Sequence, residues 1–123
     1  MTNAMNSSAS ALRVHMTKMD VIANNIANIN TNDFQASRVT LQDSFARTMQ
    51  EQSAGTGVSL ASIDRIESQG AQRLVNGEVE TMSNVDLAKE ITTMITTQRT
   101  FEANARVIPV ADEMLEEVVN LRA

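Results

Sequence analysis

Apolar residues recur at a helical period at both ends of the chain. Near the N-terminus the repeat alternates steps of four and three, and it comprises Met5, Ala9, Leu12, Met16, Met19, Ala23 and Ile26. Near the C-terminus the same rhythm runs longer, through Leu87, Ile91, Met94, Gln98, Phe101, Ala105, Ile108, Asp112, Leu115 and Val119. A step averaging about 3.5 residues is that of a coiled-coil seam. The pattern predicts a mainly α fold, whose long N- and C-terminal helices pair as a coiled-coil-like hairpin around a small β-hairpin or irregular middle.

The two stripes divide the chain into an N-terminal helix within 1–33, a connector over 34–82 and a C-terminal helix within 83–123, the helices forming one domain. We predict the first helix over about 8–30, with residues 1–6 frayed. The second opens at Ser83, where Ser83-x-x-Asp86 has the spacing of a capping box, and reaches about residue 121. Pro109 predicts a kink or break between 105 and 109.

The middle of the chain carries mixed signals. The spacing of Leu41, Phe45 and Met49 favours a short helix over 39–51, while 34–40 reads as extended. Apolar alternation favours a strand over 57–67. Asn76-Gly77 is a strong tight-turn signal, and it predicts a β-hairpin over 72–81.

Polar residues at special positions leave two interpretations open. The four asparagines between 24 and 30 either close the first helix through local bonds or form buried bonds that set the register between helices or subunits. Gln98 and Asp112 interrupt the second stripe, so each marks an exposed part of the helix or faces a polar space between subunits.

The two predicted helices differ in length. At 1.5 Å per residue they span roughly 35 Å and 57 Å, so about 20 Å of the longer one has no partner within a hairpin unless it folds back after Pro109. This overhang predicts oligomerisation.

Composition excludes several functions. The net charge is −5, without a clustered basic face, which argues against nucleic-acid binding. No apolar run is long enough to span a membrane, and the first 30 residues lack the apolar core of a cleavable signal. If the protein leaves the cytoplasm, we expect export without a cleaved signal peptide.

Catalytic chemistry is also missing. The chain has no Cys and one His, His15, which we expect to be a solvated surface residue. Glu113, Glu116 and Glu117 are expected to form a solvated helix face. We find no catalytic, cofactor-binding or metal-ligating constellation, and we predict that the protein is not an enzyme.

Several stretches carry a family resemblance. The run Asp20-Val-Ile-Ala-Asn-Asn-Ile-Ala-Asn-Ile-Asn-Thr31 is similar to the N-terminal signature of bacterial flagellar rod and hook (axial) proteins. Ser83-Asn-Val-Asp-Leu-Ala-Lys-Glu90, Met94-Ile-Thr-Thr-Gln-Arg-Thr-Phe-Glu-Ala-Asn-Ala-Arg-Val-Ile108 and Asp112-Glu-Met-Leu115 resemble the C-terminal signature. Gly57-Val58 and Gln69-Gly70 also resemble family positions.

The resemblance implies an axial structural subunit, whose terminal helices build the inner layer of a hollow tube. Such proteins leave the cell through the flagellar type III export apparatus without a cleaved signal. About 50 residues separate the two signatures here, which suits a proximal-rod subunit, because hook and distal-rod proteins carry large β-rich domains there. The C-terminal sequence nevertheless resembles those of hook and distal-rod proteins more closely.

We therefore predict a self-assembling subunit of the flagellar basal-body rod. Its partners would be its own copies, other rod and hook proteins and the export apparatus, and its location the periplasm-spanning rod. An alternative is a flagellar adaptor or regulatory module that forms a closed helical oligomer. The predicted assembly interface comprises Leu12, Met16, Met19, Ala23, Asn24, Asn25, Ile26, Asn28, Asn30, Leu87, Ile91, Met94, Gln98, Phe101, Asn104, Ala105 and Ile108.

Overall fold

Along the chain, one long helix precedes and one long helix follows four short strands. The computed structural model describes residues 2–44 and 57–122. The elements are α1 (Thr2–Ala27), β1 (Ser37–Asp43), β2 (Val58–Arg65), β3 (Gln72–Val75), β4 (Glu78–Thr81) and α2 (Leu87–Arg122). The strands form two separate antiparallel pairs, β1 with β2 and β3 with β4. The predicted mainly α architecture with a small β middle is confirmed.

Helix α1 begins earlier than predicted. Residues from Thr2 onward are helical, so the prediction of a frayed start is wrong. Contact with β2 explains the difference: the Ser10 hydroxyl donates to the Ser7 carbonyl at 2.7 Å and accepts from the backbone N–H of Val58 at 3.2 Å. Ser8 is buried in the same turn. The tertiary contact therefore holds a segment whose own sequence offers little helical stability.

The predicted helix over 39–51 is wrong for its first residues. Ser37–Asp43 is strand β1, in which Val39 and Leu41 are half-buried while Thr40 and Gln42 are exposed. Val39 lies opposite Ile63 of β2, and the register shifts between Thr40 and Leu41. The burial alternates with period two, as in a strand that packs on one face, and pairing with β2 holds the segment in this form. Phe45 and Met49, which suggested a helix, lie outside the described residues.

The two other β predictions hold. Strand β2, Val58–Arg65, occupies most of the predicted 57–67. The predicted hairpin is present, with β3 and β4 joined at Asn76 and Gly77, whose φ angles are 51° and 87°. Positive φ at both central residues is the geometry that favours Asn-Gly in a two-residue hairpin turn.

Helix α2 starts at Leu87, not at Ser83. The Asp86 carboxylate accepts hydrogen bonds from the backbone N–H groups of Ala88 and Lys89 at 3.1 and 3.3 Å, so Asp86 is the N-cap. Ser83 lies ahead of the helix, and its hydroxyl accepts from the N–H of Val85. The predicted capping box is therefore wrong, because its acidic member performs the capping itself.

Pro109 lies inside α2 without ending it. The helix continues to Arg122, so the predicted break is wrong. A proline removes one backbone bond, here the one to the carbonyl of Ala105, and the helix keeps its bonds on either side. A bend at this point stays a prediction.

The two helices pack against each other and run antiparallel. Asn25 near the end of α1 touches Glu90 near the start of α2, and the two helices share an extended contact. In α1, one row of the predicted stripe is half-buried, namely Met5, Leu12, Met19 and Ile26. The other row is displaced, since Met16 is 54% exposed whereas His15 and Ile22 are buried.

Helix α2 shows the same displacement. Met94, Phe101 and Ile108 are half-buried as the stripe predicts, but Thr97 and Ala111 are buried where Gln98 and Asp112 were expected. Gln98 and Asp112 are exposed in the single chain, and a polar space between subunits stays the alternative prediction for them. The seam thus combines small and polar side chains such as Ser8 and Thr97 with apolar ones such as Ile22, and knobs-into-holes coiled-coil packing stays a prediction.

The helices remain unequal in length. With 26 and 36 residues, α1 and α2 span roughly 39 Å and 54 Å. About 15 Å of α2 therefore extends beyond the start of α1, after Ala111. Leu121 in this overhang is 81% exposed.

Candidate assembly surface

Asn25 connects three elements at the base of the helix pair. Its side chain is only 1% exposed. The amide donates to the carbonyl of Ser37 at 2.8 Å and to the Glu90 carboxylate at 3.3 Å, and its oxygen accepts from the N–H of Ser37 at 2.9 Å. An amide buried with its bonds satisfied fixes geometry, because losing one partner leaves a desolvated polar group. Asn25 therefore sets the register of α1 against β1 and α2.

Asn84 forms a second connection just before α2. Its side-chain oxygen accepts from the N–H of Ala36 at 2.7 Å, and its amide donates to the carbonyls of Ile66 and Ser68, both at 2.8 Å. Its backbone N–H also donates to the carbonyl of Phe34. The segments before β1, after β2 and before α2 are thereby held together by one side chain.

The remaining asparagines act locally. Asn28 donates to the backbone carbonyl of Asn24 at 2.9 Å, one turn earlier, where α1 ends. Asn30 is exposed in the turn that follows. Both interpretations of this cluster are thus correct for different residues, although the register that Asn25 sets lies within the chain.

His15 is not the solvated residue that the sequence predicted. It is only 9% exposed, and its Nδ1 has no hydrogen-bond partner among the described residues. Burial lowers the pKa of the imidazole, and the charge of Lys18 lowers it further. His15 therefore belongs to the helix seam as a neutral side chain near pH 7.

Large apolar side chains lie outside the seam, on exposed faces of α2. The proximal stripe comprises Leu87, Ile91 and Ile95, and the distal stripe comprises Val107, Val110, Met114, Val118 and Leu121. Single exposed apolar residues are ordinary, but continuous rows at helical spacing are typical of interaction surfaces. The structure thus leaves these apolar side chains of α2 where another molecule can reach them.

A cleft opens between the end of α1, strand β1 and the start of α2. Its volume is about 380 Å³. Its lining combines apolar side chains such as Ile22 and Val39 with the cations Lys18, Arg38 and Lys89 and the carboxylates of Asp86 and Glu90. Within residues 2–44 and 57–122, none of these cations takes part in an ion pair. No group of metal-ligating side chains occurs in the described residues, and no described helix is suited to crossing a membrane.

The structure divides the predicted interface residues by exposure. Asn25 is buried; Leu12, Met19, Ile26, Asn28, Met94, Phe101, Asn104, Ala105 and Ile108 are half-buried. Met16, Ala23, Asn24, Asn30, Leu87, Ile91 and Gln98 are exposed. Their role in assembly stays a prediction, and the exposed members are the ones accessible to another copy.

Sequence reasoning missed the small and polar members of the seam. Ser8, His15, Thr97 and Ala111 are buried, but a search for large apolar residues passes over them. The repeat itself contained a signal, because each lies one residue before a predicted stripe position. Asn84 was assigned to the helix start, and its bridging bonds have no local signature.

Two family models match the helical ends of the chain. The model described as "Flagella basal body rod protein" matches residues 5–35, and "Flagellar basal body rod FlgEFG protein C-terminal" matches residues 77–121. Together they cover more than half of the chain, including most of α1 and α2. The chain belongs to the flagellar rod and hook family. The predicted family is thus confirmed, and so is a structural role in place of an enzymatic one, because this family is structural.

Curated members of the family are similar to this chain over its ends. The flagellar hook protein FlgE of Borreliella burgdorferi is 38% identical over 84 residues, covering 58% of this chain and 19% of the relative. The basal-body rod protein FlgG of Bacillus subtilis is 49% identical over 53 residues, covering 43% of this chain and 20% of the relative. FlgE of Salmonella typhimurium is 48% identical over 50 residues, covering 41% and 12%. The matched part is thus a fifth or less of these relatives, which include hook and rod proteins.

Proposed function

We propose that this chain is a structural subunit of the flagellar basal-body rod, and that its two terminal helices assemble it into a hollow helical tube. The exposed apolar stripes of α2 are the observation that carries the proposal. Other residues, among them Ile22, Asn25 and Thr97, are buried in the helix pair, so the large side chains of the stripes remain for contacts with neighbouring copies and other axial proteins.

Further observations support the rod over the hook. The segment between the two matched stretches spans only residues 36–76, which leaves little room for the large outer domain expected of a hook subunit. The bonds of Asn25 and Asn84 stiffen the base of the helix pair. Stiffness suits a part of the flagellum that transmits torque across the periplasm. Export through the type III apparatus without a cleaved signal belongs to the same proposal.

The assembly proposal is tested by placing a charge on a stripe. Ile91 is 45% exposed, so Ile91→Asp should leave the helix pair folded and abolish polymer formation, because assembly would bury the carboxylate without a partner. Thr92→Asp is the matched control, since Thr92 is exposed on the same turn and already polar. Sedimentation over a concentration series, electron microscopy and swimming of a strain carrying each variant provide the measurements.

The outcomes separate the candidate functions. Polymers that grow with concentration in the wild-type chain and vanish in Ile91→Asp support the subunit. A closed dimer or tetramer of constant size at every concentration would support the adaptor module instead. Labelled chain in the hook portion of purified hook–basal bodies would contradict the assignment to the rod.

A further inference from the structure

The two ends of the helix pair differ in charge and shape. The base holds the cleft, in which the cations Lys18, Arg38 and Lys89 outnumber the carboxylates Asp86 and Glu90, and the opposite end is the overhang of α2. Both carboxylates accept hydrogen bonds within the chain, Asp86 from the first turn of α2 and Glu90 from Asn25. In the overhang, Glu113 and Glu117 are exposed and lie one turn apart, beside the distal apolar stripe.

Within residues 2–44 and 57–122, neither end pairs its charges in salt bridges. Arg73–Glu80 and Arg99–Glu102 are the ion pairs among the described residues, so the cations of the cleft and the two glutamates all lack one. Like charges four residues apart on a helix repel each other. An oppositely charged neighbour would remove this repulsion.

We propose that the overhang of α2 in one copy docks into the basal cleft of the next copy. Glu113 and Glu117 would face Arg38 and Lys89, while Met114 and its apolar neighbours would contact Ile22 and Val39. The cleft of about 380 Å³ has room for side chains from one helical turn. This contact rests on the proposed self-assembly and specifies which ends of the subunit meet.

The contact joins unlike surfaces at opposite ends of the molecule. Such a head-to-tail interface repeats without closing unless its rotation forms a ring, and it therefore builds an open helical array. A second copy is thus the occupant that satisfies both ends at once.

Charge reversal at each end tests the contact. One full-length variant carries Glu113→Lys and Glu117→Lys, and the other carries Arg38→Glu and Lys89→Glu. Each should raise the critical concentration for polymerisation by about tenfold or more, because like charges then face each other. Misfolding would not explain a loss of polymerisation, because all four residues are exposed. Lys89→Glu also places a favourable negative charge at a helix N-terminus.

Mixing the two variants provides the decisive measurement. In an equimolar mixture each reversed overhang meets a reversed cleft, so alternating polymers should form near the wild-type critical concentration. Glu116→Lys and Arg13→Glu are controls, because Glu116 lies across the helix from Met114 and Arg13 does not line the cleft; both should polymerise like wild type.

The results distinguish a failure of this contact from a failure of the proposed self-assembly. The head-to-tail contact would be overturned if both reversed variants assembled like the wild type, or if their mixture stayed monomeric. Polymers of the wild-type chain would then still support self-assembly. A wild-type chain that never polymerises on its own would overturn both.

Discussion

Buried polar side chains determine how the two helices meet at the level of single residues. Asn25 is the largest fully buried side chain of the described residues, and its amide is satisfied by β1 and α2. Thr97 is buried with its hydroxyl donating to the carbonyl of Thr93 at 2.7 Å within its own helix. Such local bonding makes the burial of a small polar residue inexpensive. These two polar residues thus add specificity to a seam that also contains apolar side chains such as Ile22.

His15 is the exception, because its Nδ1 is buried without a partner, and this makes stability depend on pH. Its pKa in the folded chain lies below the ordinary 6.5, so the unfolded chain binds the proton more tightly. Stability is therefore highest above about pH 6.5 and falls as pH decreases toward the lowered pKa, by at most about 1.4 kcal/mol per pH unit for one proton. Urea unfolding between pH 7.5 and 5.5 measures this loss.

The variant His15→Gln provides the comparison. Glutamine does not titrate, so the difference in unfolding free energy between the wild type and this variant should shift across the interval as the imidazole becomes protonated. Identical pH slopes in both proteins would show that His15 contributes no such linkage.

Elements with local signals were predictable from the sequence, whereas those that depend on distant partners were not. The β3–β4 hairpin follows from Asn76-Gly77, because few residues accept positive φ at both turn positions. The C-terminal part of strand β1 was predicted as helix, since the spacing of Leu41 and Phe45 fits a helical turn while the β2 partner begins 15 residues after β1 ends. Pairing with a distant strand decides such a segment, and no local pattern reports it.

The buried positions of the two helices were predictable only in part. One row on each helix was right, because large apolar residues such as Leu12 and Phe101 avoid water at the seam. The other row was displaced by one residue toward Ser8 and Thr97, because close approach of helices favours small side chains there. Large residues left outside the seam cannot be assigned to a partner from one sequence.

At the scale of an element, substitutions at the start of α2 test whether Asp86, and not Ser83, is the N-cap of the helix. Asp86→Ala should lower the free energy of unfolding by about 1 kcal/mol, because two N–H groups of the first turn lose their acceptor. Ser83→Ala should cost less, since Ser83 lies ahead of the helix. Urea unfolding of both variants at a concentration below assembly is the measurement. A larger loss for Ser83→Ala would restore the capping box.

At the scale of the whole molecule, the burial of α2 differs along its length. Ala111 is the last buried residue of α2; after it Leu115 is half-buried and the other described residues as far as Arg122 are exposed. Pro109 removes a backbone bond at the same boundary. The overhang is therefore coupled weakly to the rest, and its rigidity should depend on other subunits.

Amide hydrogen exchange should report this dependence. In dilute monomer, amides of residues 112–122 should exchange much faster than those of 90–105, because local opening there breaks few contacts. Above the critical concentration the same amides should slow by about tenfold or more, since burial of the distal stripe adds at least the 1.4 kcal/mol that a tenfold change requires. The variant Glu113→Lys with Glu117→Lys, kept monomeric, separates assembly from concentration itself. Full protection of residues 112–122 in dilute monomer would mean that α2 is stable without neighbours, and the overhang would then not be the end that assembly completes.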